Sequence, residues 1–325
     1  MNIFKQIARK TERKEDVFKL KINHYGPLNR DKVLYYICEK NDNLGFFAMY
    51  RYWLEYLYFA DVCGYIPFVD AGKGFAYHEE NEIEGKKNTF EYYFCQPSQV
   101  KLQEVKFSNK VVRSDTMHRE MVELVYTGKS NHYSYNRKYL LAMSKIVKKY
   151  MKFNNKTMEY LDAGCSKLGL REQRVLGIHV RGTDFRTQYN NHPVALKEED
   201  YFMEIDKVWE KGEYDKIFLA TDDSRILQAF LDKYGNRICY FQDVMRSNKN
   251  KSVAFVENSR KNHKYLLGLE VIRDMYSLAI CQGLIAGISQ VAICAQINKL
   301  AMGQKYEDLV IIDKGINKNS RIFRR

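Results

Sequence analysis

From Arg174 onward the chain repeats one pattern, a short apolar run followed by a longer stretch of helical periodicity, and few architectures accommodate it. Strands are predicted at 175–180, 216–221, 237–241, 284–287 and 309–312, and helices at about 198–211, 224–234, 264–282 and 290–302. Runs such as Val175 to Val180 lack the polar alternation of a half-exposed strand, so they suit a parallel sheet covered on both faces. This half reads as a Rossmann-like unit. In such sheets ligands bind in the crevice outside the carboxyl ends of the strands. Functional residues are therefore sought where each apolar run stops.

The first run ends inside Val175–Val194 (VLGIHVRGTDFRTQYNNHPV), where His179, Arg181, Thr183 and Asp184 crowd around Gly182. Arg181 offers a rigid fork of donors for a pyrophosphate and a charge to stabilise a phosphate leaving group; the competing reading is an ion pair with Asp184 or another carboxylate. His179, two residues earlier, shares its side of an extended chain and becomes a phosphate or nucleotide contact. The second run ends in Thr221-Asp222-Asp223-Ser224, with Asp222 a donor contact and N-capping of the next helix the competing reading. Asp274 interrupts the apolar face of a long helix and is suited to accept from the N–H groups of a guanine ring, or else to pair with Arg273. Ser289 and Gln290 open the helix after the fourth run, where free N–H groups and the helix dipole favour phosphate.

The N-terminal half contains one clear βαβ unit: a strand at Val33–Cys38, a helix from about Phe46 to Cys63 stopped by Gly64, and a strand at Ile66–Val69. Its loop, with Asn43 and Gly45, lies on the ligand side of the sheet, or is an ordinary helix entry. Thr89–Phe94 (TFEYYF) is expected as a strand or packed aromatic segment, and a helix is expected over 136–152. The polar stretch near 155–172 marks a boundary, giving an N-terminal Rossmann-like, acceptor-side domain at 1–160 and a donor domain at 161–325. Two domains also suit the length of 325 residues.

Composition narrows the function classes. The net charge of +13 predicts an anionic partner, and a non-catalytic nucleic-acid-binding protein is one reading of it, although no RNA- or DNA-binding motif is visible. The 7 Cys show no C-x-x-C and no metal-ligand spacing, which predicts a reducing compartment and no zinc. No D-x-D, G-x-G-x-x-G or phosphate-binding P-loop motif occurs, so the site is expected to need no metal and no separate cofactor. Without a leader-like apolar segment at the N-terminus, and with Arg51, Glu55 and Asp61 interrupting the most apolar window, a cytoplasmic enzyme is expected. Basic termini, including Ile3, Phe4 and Ile7 among lysines and arginines, suggest peripheral contact with an anionic membrane face.

His179–Phe185 (HVRGTDF) with His192-Pro193, Phe218–Asp223 (FLATDD), Val271–Met275 (VIRDM) and Leu284–Gln290 (LIAGISQ) together resemble the successive motifs of the α1,6-fucosyltransferase, nodulation fucosyltransferase and protein O-fucosyltransferase superfamily. The resemblance implies an α/β GT-B fold, two Rossmann-like domains facing a cleft. It also implies inverting, metal-independent transfer of fucose from GDP-fucose to a glycan hydroxyl of a polysaccharide or oligosaccharide; a different nucleotide sugar is the alternative. By motif, Arg181 would hold the diphosphate, His179 and Asp274 the nucleoside, and Ser289 with Gln290 the phosphates. The superfamily's glutamate after His-x-Arg is replaced by Gln188-Tyr189-Asn190-Asn191, leaving Asp184, Glu91 or Asp70 as base, or leaving-group stabilisation by Arg181 as the main device.

Overall fold

The computed structural model describes residues 21–38, 44–116, 136–256 and 258–318. Strands β1 (Ile22–Asn23), β2 (Leu34–Ile37), β3 (Ile66–Val69) and β4 (Val111–Arg113) form a sheet in the order β1-β4-β2-β3, with β1 antiparallel to β4 and the other pairings parallel. The predicted βαβ unit is present. Its helix α1 (Phe46–Cys63) ends at Gly64, whose φ of 70° lets the chain reverse while its N–H caps the last carbonyls.

Of the two readings of residues 89–94, the packed aromatic segment holds and the strand does not: α2 (Thr89–Tyr93) begins where the Asn88 side chain accepts the Phe90 N–H, and the turn sends Phe90, Tyr93 and Phe94 into the core. The polar stretch from 155 carries helix α5 (Asn155–Lys167), whose start Asn154 caps by accepting the Thr157 N–H. Between them lie α3 (Leu102–Lys106) and α4 (Arg137–Tyr150), the latter close to its predicted span.

The second sheet is wholly parallel. It holds β5 (Val175–Val180), β6 (Lys216–Thr221), β7 (Ile238–Cys239), β8 (Gly283–Gly287) and β9 (Leu309–Ile312) in the order β7-β6-β5-β8-β9. Helices α6 (Glu198–Trp209) and α7 (Ser224–Tyr234) cover one face through Tyr201, Ile205 and Phe230. Helices α8 (His263–Ile280) and α9 (Gln290–Ala301) are buried against the other. The strand order reverses direction between β5 and β8, so the topological switch point lies there.

One buried cluster runs through both units, joining Trp53 and Phe90 to Met143, Leu278 and Ile293. The contact is close enough to forbid a side chain at Gly268 of α8, where an added methyl would lie 2.1 Å from the Tyr93 hydroxyl oxygen. Among the described residues no helix is long and apolar enough to cross a membrane. The basic terminal segments on which membrane contact was expected lie outside the described residues, apart from the chain up to residue 318.

Candidate active site

The end of β5 and the end of β6 are adjacent strands in register, which brings the polar residues after each into one cluster. Arg181 donates to Asp184 Oδ1 and to Asp222 Oδ2, both at 2.6 Å. Asp222 also accepts the Gly182 N–H at 3.0 Å and the Thr183 hydroxyl at 2.8 Å. The ion-pair reading of Arg181 is what the geometry shows, and the two pairs fix its guanidinium at the end of β5.

The loop between is tightly specified. A methyl on Gly182 would lie 2.3 Å from Asp223 Cβ, so only glycine lets the two strand ends approach this closely. Thr183 adopts φ 36°, a strained backbone for a β-branched residue, held by its N–H on Asp223 and its hydroxyl on Asp222. Asp223 itself caps α7 through the Arg225 N–H at 2.9 Å. Burial would raise its carboxyl, but hydrogen bonds from Arg225 and Thr183 hold it at about 2. Of the two neighbouring aspartates, the first binds Arg181 and the loop, while the second both braces the loop and caps the helix.

Across the switch point, His179 Nδ1 lies 3.1 Å from Ser289 Oγ. Burial and the nearby Arg181 charge lower the imidazole to about 3, so His179 is neutral at physiological pH. Ser289 Oγ also accepts the Ala292 N–H at the start of α9, so one hydroxyl joins His179 to that helix start. Ser289 is at once the cap and the partner of His179.

Asp274 and Gly45 lie on other elements, and Gln290 opens α9 directly after Ser289. Asp274 is buried within α8, and burial pushes its carboxyl up to about 7 against the pull of Arg246 and Arg273. Arg273 is committed elsewhere, to Asp243 at 2.7 Å and over the Phe241 ring at 3.9 Å, so the pairing expected for Asp274 does not form. Arg246 approaches from the loop after β7, anchored on the Phe241 and Val244 carbonyls. The Gln290 side-chain oxygen accepts from Arg51 at 2.9 Å. Gly45 starts α1 with its carbonyl bonded to Ala48 and Met49, an ordinary helix entry; Asn43 lies outside the described residues.

The candidate bases are all engaged: Asp184 by Arg181, Glu91 by Gln96 at 3.0 Å, and Asp70 by the Tyr36 hydroxyl. The stretch that replaces the expected glutamate is structural. Asn191 donates to the Asn317 carbonyl at 2.7 Å, and the Asn317 side chain donates to the Gln188 carbonyl at 2.8 Å.

Arg51 was not foreseen as part of the site. It is buried in α1, donates to the Tyr139 hydroxyl of α4 at 2.8 Å, and reaches Gln290 at the first turn of α9. The available signal was Arg51 and Glu55 one helical turn apart in an otherwise aromatic helix, the pattern of a buried pair.

A family model for the α-(1,6)-fucosyltransferase N- and catalytic domains matches residues 133–305. No curated protein sequence matches. The crystal structure of NodZ α-1,6-fucosyltransferase co-crystallized with GDP has a TM-score of 0.51 and 14% identity over 83% of this chain and 93% of that one. The structure of selenomethionyl NodZ from Bradyrhizobium scores 0.49 at 14% identity over 83% and 92% of the two chains. POFUT1 in complex with GDP scores 0.47 at 10% identity over 90% and 99%. With two α/β units of GT-B type, Arg181 at the mouth of the parallel sheet and more than half its length within the family model, the chain belongs to the α-(1,6)-fucosyltransferase family and is a glycosyltransferase.

Proposed function

We propose that the protein transfers fucose from GDP-fucose to a hydroxyl of a polysaccharide or oligosaccharide, with inversion and without a metal ion. The observation that carries this reading is Arg181, fixed by Asp184 and Asp222 at the C-terminal end of β5. A guanidinium already oriented there stabilises the charge that builds on a departing diphosphate without reorganising during the reaction. Neutral His179 and the start of α9 at Ser289 supply uncharged donors beside it. Asp274 supplies a buried acceptor for the N–H edge of guanine. The NodZ structure that shares this fold was co-crystallized with GDP, in keeping with that donor.

Metal independence is supported by the state of the carboxylates: Asp222 and Asp184 are bound by Arg181, and Asp223 by Arg225 and Arg186. With Asp184 tied to Arg181, the rate is carried by leaving-group stabilisation more than by a strong base. In this reading residues up to about 160 form the acceptor side and residues 161–325 the donor side.

Thermal shift against nucleotides tests the donor. A ligand that binds only the folded chain stabilises it by about 2.7 kcal/mol at roughly a hundred times its Kd. GDP and GDP-fucose are expected to raise Tm, and UDP-sugars to leave it unchanged. The reverse result would sink the GDP assignment.

A further inference from the structure

Helix α4 divides into two opposite faces. Tyr139, Leu140, Met143, Ile146, Val147 and Tyr150 are buried, while Arg137, Lys138, Leu141, Lys145, Lys148 and Lys149 are exposed. At about 100° per residue the exposed positions fall within an arc of roughly 120°, and the row extends about 18 Å, with exposed Lys152 just beyond the helix end. No aspartate or glutamate occurs between 137 and 152. Among the described residues, Lys149 alone on this face has a carboxylate partner, Asp61. On the donor side the lysines of α6 and α7 are paired instead, Lys207 with Glu204 and Lys233 with Asp206.

We propose that this face of α4 is a docking surface for an anionic lipid bilayer. Charge complementarity selects an anionic partner, and two details select a membrane. The row is almost wholly lysine, a point charge suited to a diffuse anionic surface and lacking the fork that arginine brings to individual phosphates. In its middle Leu141 is 42% exposed, a side chain that gains by entering the headgroup boundary and gains nothing along a polyanion backbone. The basic face is the outer side of α4, turned away from Tyr139, which fixes the helix to α1 through Arg51.

The test is co-sedimentation of the full chain with phosphatidylcholine vesicles, with and without phosphatidylglycerol. Each cation near the surface contributes a factor of about five to partitioning. Wild-type protein is expected to bind only the anionic vesicles and to be released by salt. The combined variant Lys138→Glu, Lys145→Glu, Lys148→Glu, Lys152→Glu should lose more than about a hundredfold, with unchanged circular dichroism and unchanged GDP binding. Leu141→Ser should lose a few-fold in the same assay. Undiminished vesicle binding by the combined variant would overturn the proposal, because the basic termini would then suffice. So would wild-type binding to heparin or RNA with none to vesicles.

Discussion

Arg181 is held by two carboxylates from different parts of the chain, one three residues on and one at the end of the neighbouring strand. A lysine there keeps the charge but reaches only one of them, so the donor is no longer met by an oriented fork. We expect Arg181→Lys to retain its circular dichroism and to lose transfer by about 10²–10³ in kcat. Turnover near that of the wild type would remove the fork from the mechanism. Asp274 gives a second prediction. Its folded value of about 7 lies above the ordinary carboxylate range, so its contribution to stability is complete in acid and is lost as pH rises through about 7. Asp274→Asn should therefore raise Tm at pH above about 7, a gain that shrinks on acidification. Guanine N–H groups need the ionised carboxylate, so calorimetric titration should show GDP affinity falling as pH drops below about 7, and the asparagine variant should lose that dependence. Invariant GDP affinity across this range would take Asp274 out of the base pocket. Residues at strand ends were legible because period and position together marked them. The Arg181–Asp222 pair was not, because it forms only after two distant strands align.

Secondary elements were most readable where one rule acted alone. Helix α1 and strand β3 match their predicted spans, since a mostly apolar run closed by Gly64 leaves little choice. Thr89–Phe94 left a strand and a packed aromatic segment open, because aromatic residues favour strands until a capping residue intervenes, and Asn88 is the residue that decides for a packed helical turn. Helix α5 lies in the stretch read as a boundary, its start set by the Asn154 cap. Helix α8 shows two effects in opposition. Gly268→Ala would gain about 1 kcal/mol of helix propensity, yet its methyl meets the immobile Tyr93 hydroxyl, and overpacking of this kind costs about 1–3 kcal/mol or more. A lowered Tm is expected. A raised one would mean that Tyr93 can withdraw.

At the scale of the molecule, Arg51 and the shared apolar cluster make the two α/β units one cooperative body. Differential scanning calorimetry should show a single transition, moved as a whole by GDP. Two separate transitions would mean that the shared cluster does not couple them. Sequence periodicity located each sheet but not this junction, because side chains from positions such as 51, 139 and 290 carry no common local signal. The junction also bears on turnover. Tyr93 bonds to the Tyr265 carbonyl, the Tyr265 N–H to Glu79, and Arg51 to Gln290, so three bonds bolt the two units together. Hinge rotation of one unit on the other would break these partly buried bonds at every cycle. Under the proposed reaction, spent nucleotide is therefore expected to leave without that rotation, by movement of side chains and loops.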